Sequence, residues 1–407
     1  MNKRKRPVSR RRFLSTTIGG IAGAGLLTTG RLGAQEAREG EKEKKQAPLI
    51  YRTLGNTGIK LPIVSMGVMN ADNPEVVRAS YDLGVRHFDT AAYYQSGNNE
   101  RMVGKVIREL GVRDKVIIAT KIYTPDMRGD HTAGEVRRKM FEQIELSLER
   151  LQMDRVDILY VHNIRTEEEM RSKAILNAMK DIRESGKTRH IGVSFHQDLH
   201  RLLGAAVDMG GYEVILTPFN MTMSDYGELR KEIARAAVEG IGVIAMKTQA
   251  GSARRSTLEY EGEYSGSTVA TAALKWVLRN PEITTAIPGY TTFQHMEEDF
   301  SVARGIEYDE QERKLLGECD IKLGMNFCRQ CGLCMASCPE GVEIPALMRT
   351  HMYAARYSNF GHARLTLGEI EPSKGLERCL KCDECRAVCR NSVDIAAGID
   401  ELRLIYG

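Results

Sequence analysis

Between residues 50 and 303, two hydrophobic periods take turns along the chain. Short apolar runs rich in β-branched and aromatic residues read as buried parallel strands. They are IVSMGV (63–68), HFDTA (87–91), VIIATK (116–121), VDILYVH (156–162), HIGVSF (190–195), VILTPF (214–219), GVIAMK (242–247) and TTAIPG (284–289). Between them lie stretches such as EVVRASYDLG, EVRRKMFEQIELSLERL, EEMRSKAILNAMKDIRESG and ELRKEIARAAVEG, whose apolar residues recur at helical spacing. Eight strand–helix units over about 240 residues is the size of one (β/α)8 barrel of the TIM type. The opening YRTLGNTGIKLP, with turn chemistry at Gly55, Asn56 and Gly58, predicts a small hairpin ahead of the repeat. From residue 304 the strand pattern stops, and helical stretches such as PALMRTHMYAARYS replace it. The expectation is an α/β barrel over 50–303 followed by a small, mostly helical domain over 304–407.

All nine cysteines lie in that second domain. Cys328, Cys331, Cys334 and Cys338, followed by Pro339, spell C-x2-C-x2-C-x3-C-P. Cys379, Cys382, Cys385 and Cys389 repeat the spacing, with Arg390 in the proline position. Three thiolates within seven residues wrap one face of a cubane, and the fourth usually ligates the other cluster in two-cluster ferredoxins. By that rule one [4Fe-4S] cluster takes Cys328, Cys331, Cys334 and Cys389, and the other takes Cys379, Cys382, Cys385 and Cys338. Structural zinc prefers separated C-x2-C pairs, and cysteines in x2 triplets seldom reach bridging geometry together. The helical stretch between the motifs resembles the α-helical ferredoxin modules of respiratory dehydrogenases. Cys319 has no place in this scheme and reads as a small core hydrophobe.

Charge changes the picture at the N-terminus. Residues 1–34 carry eight Lys or Arg and no acid, so the net charge of +4 becomes −4 for residues 35–407. A mildly acidic body without a basic stripe gives no reason to expect nucleic acid. The basic MNKRKRPVSRRRFL precedes an apolar, small-residue run, STTIGGIAGAGLLTTG, too short and Gly-rich for a comfortable membrane span. Ser9-Arg10-Arg11-Arg12-Phe13-Leu14 resembles the twin-arginine export signal read by the bacterial Tat translocase. The resemblance implies a signal peptide over 1–34, cleaved after Ala34 or kept as an anchor, a charged linker over 35–49, and a periplasmic destination. Such export carries folded proteins with cofactors already inserted, which suits iron–sulfur clusters assembled in the cytoplasm.

Catalytic groups of such barrels stand where strands end, on the C-terminal face. Asp89 closes HFD, Tyr94 follows in the next loop, Lys121 closes VIIATK, and His162 closes VDILYVH. FDTAAYYQSGNNERMVGKVIRE, ATK, YVHN and IGVSF together resemble the aldo-keto reductase pattern in order and spacing over residues 50–303. The cysteine tail and the AMK at 245–247 resemble that family's iron–sulfur branch. The resemblance implies a tetrad of Asp89, Tyr94, Lys121 and His162. Tyr94 would give a proton to a carbonyl oxygen, Lys121 would lower its pKa, Asp89 would hold Lys121 charged, and His162 would orient the carbonyl. Tyr93 is the rival acid.

The resemblance also implies NAD(P), held by Ser194, Asn220, Lys247, Glu298 and Asp299. Three departures weaken the nicotinamide clamp: Phe195 replaces an Asn, Leu216 a Gln, and Met246 a stacking aromatic. After IPG the chain reads GYTTFQH, without the Arg or Lys that a 2′-phosphate prefers. A periplasm has no free nicotinamide pool, so either a trapped NAD(P) or electrons fed through the clusters would serve the barrel. The expected function is an oxidoreductase interconverting a carbonyl and an alcohol, with a redox protein or quinone-linked carrier as partner. The alternative is an electron-transfer protein whose barrel only binds a ligand or partner.

Overall fold

The computed structural model describes residues 47–123, 131–223, 226–249, 265–317, 328–379, 382 and 384–407. The export-signal region, most of the charged linker, Cys319 and most of the two loops near 124–132 and 249–267 lie outside them. Two short strands, β1 (Tyr51–Thr53) and β2 (Lys60–Pro62), pair antiparallel as the opening hairpin. The barrel strands follow: β3 (Met66–Gly67), β4 (His87–Asp89), β5 (Ile117–Tyr123), β6 (Val156–Ile164), β7 (Thr188–Phe195), β8 (Val214–Pro218), β9 (Gly242–Met246) and β10 (Ile283–Ala286). They are ordered sequentially and all parallel. Bridges from Val64 to Ala286 and from Gly67 to Gly289 join the first strand to the last and close the barrel. The (β/α)8 expectation holds, and each predicted run overlaps an observed strand.

Helices start where short polar side chains satisfy the first free N–H groups. Asn73 accepts from the Glu75 amide ahead of Pro74–Leu83, and Thr132 and Glu135 form a reciprocal capping box ahead of Ala133–Leu151. Inside the barrel, Leu54, Leu61, Tyr160, Leu216, Ile244 and Met246 form one buried cluster. Leu54 of the hairpin plugs the N-terminal end. A side chain on Gly242 would strike Leu54 at 2.4 Å, so this strand needs glycine there.

After the barrel, helix Glu310–Gly317 lies along helix Gly266–Leu278, tied by Lys275 and Glu312 at 2.6 Å. The second module is helical: Ile344–His351, a π-turn over Met352–Arg356, then Phe360–Gly368, Leu376–Cys379 and Ile395–Tyr406. Its apolar centre (Val342, Leu347, Ile395, Ile399, Leu402) packs beside Cys328, Cys334, Cys338, Cys379 and Cys389. The module sits over the C-terminal mouth of the barrel. Asn163 Nδ2 donates to Glu369 at 2.6 Å, and Arg165 donates to the Glu369 carbonyl at 2.6 Å and pairs with Glu343. Asn359 reaches Asn70 at 3.1 Å, and Met69 packs against the buried cluster of Met352, Tyr353, Ala354 and Ala363. Among the described residues no helix is long and apolar enough to cross a membrane.

Candidate functional site

Adjacent strands bring Asp89 and Lys121 side by side. Lys121 donates to Asp89 and, at 2.7 Å, to the Thr90 carbonyl; both side chains are buried. Burial pushes the Asp89 carboxyl up and the Lys121 ammonium down, and each is pulled back by the other's charge. Lys121 Nζ stands 5.0 Å from the centre of the Tyr94 ring, and His162 packs edge-on to that ring at 6.2 Å. The four residues thus converge. Tyr93 instead packs edge-on against Tyr123 at 5.0 Å, while Tyr94 lines the cavity at the mouth. That favours Tyr94 over its neighbour.

The Tyr94 phenol is raised well above its usual value of 10, chiefly by burial and then by the Asp89 charge. The ammonium is largely spent on Asp89, so the phenol sees a carboxylate as well as a cation. Tyr94 therefore stays protonated across the neutral range and gives its proton up only to a strongly basic oxygen, such as a developing alkoxide.

The backbone is strained around these groups. Gln95 and Ser96 after Tyr94, Asn163 after His162, and Lys247 after β9 have φ between 51° and 59° without being glycine. A register shift in the β6–β7 pairing accompanies Asn163. Left-handed residues clustered at strand ends accord with a functional mouth.

The C-terminal module supplies part of that mouth, which sequence reasoning missed. His362 packs edge-on to Tyr94 at 5.5 Å and to Tyr353 at 4.5 Å, and Tyr353 and Tyr357 line the cavity. The only hint was aromatic and basic residues four apart (Arg349, Tyr353, Tyr357) in an otherwise apolar helical stretch. His362, His162 and His196 are all buried and all lack a partner for Nδ1 among the described residues. Burial, then nearby cations, lowers His162 and His196 well below 6.5 and His362 to about 3.

These imidazoles are therefore neutral, and their folded pKa lies below the unfolded one. The stability each contributes is complete above about pH 6.5 and is lost as pH falls toward the folded value. Between pH 6.5 and 4, wild-type stability should fall more steeply than that of His362→Leu, by up to about 1.4 kcal/mol per pH unit. Denaturant unfolding across pH reads the difference; parallel curves for the two proteins would refute it.

The mouth cavity, about 160 Å³, runs from Asp89 and Tyr94 past Met246 and Lys247 to Gly289 and His295. It offers apolar walls for a flat ring and polar groups (Lys247, Gln249, His295) at one edge, which fits part of a dinucleotide. An amide-specific clamp is lacking. Ser194 is buried, donating to the Val161 carbonyl at 3.3 Å and accepting from the Asn163 amide at 3.2 Å. Asn220 donates to the Lys247 carbonyl at 3.0 Å and accepts from Thr222, so it braces the strained turn. Asp299 accepts from Gln249 at 2.7 Å and Glu298 from Gln294 at 2.8 Å; neither lines the cavity. Of the five predicted nucleotide contacts, Lys247 alone lines it, and burial, aided by Arg349, lowers its ammonium to about 7.

The cysteines fall into two sets. Cys328, Cys331, Cys334 and Cys389 line one cavity; Cys338, Cys379, Cys382 and Cys385 line another of about 360 Å³. These are the interleaved sets that the ferredoxin rule predicts. Among the described residues no three side chains converge as ligands to a single ion do; the sulfurs surround space instead. Burial and then neighbouring sulfurs push Cys334 and Cys379 to about 11, while Cys328 rises to about 12 mainly through burial. Holding Cys328, Cys334 and Cys379 as thiolates requires compensating metal charge, which [4Fe-4S] clusters would supply along with single-electron transfer. Backbone amides of Gln330 and Asn391 point at Cys328 and Cys389 at 3.3 and 3.4 Å, bonds of the kind that tune a cluster.

Comparison with known proteins agrees with this geometry. The model of the aldo/keto reductase family matches residues 59–321. The chain belongs to the aldo/keto reductase family. A 4Fe-4S dicluster domain follows at residues 327–394. This aldo/keto reductase is 29% identical to L-galactose dehydrogenase of Arabidopsis thaliana, over 67% of the chain and 93% of that protein. It is 25% identical to L-glyceraldehyde 3-phosphate reductase of Escherichia coli K12, over 64% and 90%. The aldo-keto reductase AKR11C1 of Bacillus halodurans shares the fold at 18% identity, with a TM-score of 0.54 over 67% of this chain and 96% of that one. Membership makes the chain an oxidoreductase enzyme with an iron–sulfur domain, and so decides against a barrel that only binds.

Proposed function

We propose that this aldo/keto reductase is an exported enzyme that interconverts a small carbonyl compound and its alcohol. The observation that carries the reading is Tyr94: its ring meets Lys121, His162 and His362, and it opens on the mouth cavity. Tyr94 donates the proton to the developing alkoxide, or receives it in the reverse direction. Lys121 and Asp89 form the buried charge pair that orients it, and neutral His162 steers the carbonyl oxygen. A nicotinamide, when bound, supplies a hydride. Lys247 and Gln249 would hold the polar part of the dinucleotide, and Met246 and Ile287 would supply apolar wall for its ring. The names of the relatives, a dehydrogenase of L-galactose and a reductase of L-glyceraldehyde 3-phosphate, support small polar substrates.

Two [4Fe-4S] clusters, held by the two cysteine sets, connect this mouth to a redox partner, a small protein or a quinone-linked carrier. The placement of the sets supports an order. Cys328 also lines a cavity shared with His196, Asn220 and Lys247 of the barrel. The Cys338 set is lined by its own module's residues, and Cys385 is exposed. The first set therefore faces the barrel and the second faces the partner. Export through the Tat translocase to the periplasm rests on the order of paired arginines, Phe13-Leu14 and the apolar run.

Anaerobic purification tests the reading, with iron, sulfide and acid-released nucleotide counted in one preparation. About eight irons per chain, as two cubanes require, together with stoichiometric NAD or NADP is the expected result. Far less iron in well-folded protein would remove the clusters. Eight irons with neither bound nucleotide nor nucleotide-dependent turnover would remove the hydride role.

A further inference from the structure

A second cavity, about 20 Å³, adjoins the mouth, and His196, Lys247 and Tyr357 line both. Arg349, from the helix Ile344–His351, forms part of its wall. Arg349 is only 2% exposed, and its sole ion pair among the described residues is a 3.5 Å contact from Nη2 to Glu369. That carboxylate oxygen already accepts from Asn163 at 2.6 Å. Nη1 is buried with no hydrogen-bond partner among the described residues, and so is Nδ1 of His196. A guanidinium cannot discharge itself by losing a proton, and a buried charge with the two donors of Nη1 idle is costly. Its planar fork matches the two oxygens of a carboxylate. The cavity exceeds the roughly 10–15 Å³ that one water needs; it admits a carboxylate head but not a sugar or a diphosphate.

We propose that Arg349 is the anchor for a carboxylate on the substrate. The molecule is then an oxo acid, or the matching hydroxy acid, with its carboxylate in the small cavity and its carbonyl end in the mouth facing Tyr94. This rests on the carbonyl–alcohol reading above and adds the class of substrate. It also makes the iron–sulfur module part of the substrate site, since a barrel without that module has no Arg349.

The test titrates the full-length, cluster-loaded protein with propionate, with its neutral isostere propionamide, and with ADP, by calorimetry. Propionate should bind and propionamide should not. Arg349→Met should weaken propionate by about tenfold to a hundredfold, the range for a charge-assisted pair, and Arg349→Lys by less. ADP binding should not weaken, since losing the Arg349 charge favours the Lys247 ammonium, and iron content and cluster midpoint potentials should stay as in the wild type. In turnover, KM for an oxo acid should rise with kcat nearly constant, while a neutral aldehyde is unaffected. Unchanged propionate affinity in Arg349→Met overturns the proposal. So does weakening of ADP instead, which would make this a dinucleotide phosphate site, or a shifted midpoint alone, which would make Arg349 a counter-charge for the Cys328 cluster. Should Arg349→Met fail to fold, Arg349→Lys carries the test, and undiminished propionate affinity there sinks it. The underlying reading fails differently, by Arg349-dependent propionate binding in a protein that turns over no carbonyl compound.

Discussion

Tyr94→Phe is expected to lower kcat/KM for carbonyl reduction by about 10²- to 10⁴-fold, the range a positioned general acid supplies. The ring stays, so its edge contacts to His162 and His362 and its place over Lys121 persist. What disappears is the Tyr94 proton at the wall of the mouth cavity, held well above the usual phenol range. Melting temperature and cluster spectra should barely move, because the loss is a hydroxyl and not packing volume. The pH profile adds a second readout. A raised phenol stays protonated across the neutral range, so wild-type reduction should show no alkaline loss near pH 10. Lys121→Met should not bring such a loss in, since the unpaired Asp89 charge would raise the Tyr94 phenol further. Activity of Tyr94→Phe within a few-fold of wild type would move the acid role to His162 or Tyr93.

The second large effect concerns the cysteines. Cys389→Ala should strip the cluster that Cys328, Cys331 and Cys334 share, removing about half the iron of two cubanes. Its reduced EPR spectrum should match that of Cys328→Ala. Cys338→Ala should instead match Cys379→Ala and leave the signal of the site beside the barrel. The physical ground is the interleaving: each fourth cysteine lines the cavity of the other motif's triplet. If Cys389→Ala pairs spectroscopically with Cys379→Ala, the motifs ligate consecutively and the interleaved assignment is wrong. Some loss of fold stability accompanies either change, because Cys334 and its neighbours belong to the module's apolar centre.

The barrel itself was legible in the chain. A strand covered on both faces must be apolar nearly throughout, and VDILYVH and VILTPF carry that signature without tertiary help. Strand ends are where polar residues become odd, so Asp89, Lys121 and His162 stand out by contrast with their own runs. The cysteine sets were legible for a different reason. Ligand spacing around a cubane is a local constraint, and the exchange of fourth ligands follows from it.

What the chain alone did not decide concerns groups brought together from afar. Tyr94 and His362 are separated by 268 positions, yet their rings lie 5.5 Å apart. Nothing in the periodicity of either segment encodes that meeting. It follows from how the helical module seats on the barrel, through Glu369, Asn359 and Tyr353. The same seating leaves Arg349 buried with an idle donor. Ser194 and Asn220 show the converse: suitable residue types at suitable positions, whose polar atoms the fold spends on its own backbone and neighbours. Even the Tyr94 proton was decided in three dimensions, because burial and the Asp89 charge outweigh the cation beside it. Residue order determined the barrel, the spacing of the two cysteine motifs and the polar residues at the strand ends, since each follows from local pattern. Tertiary structure alone decided their electrostatics and the second module's share of the mouth, since both depend on which distant groups exclude water from one another.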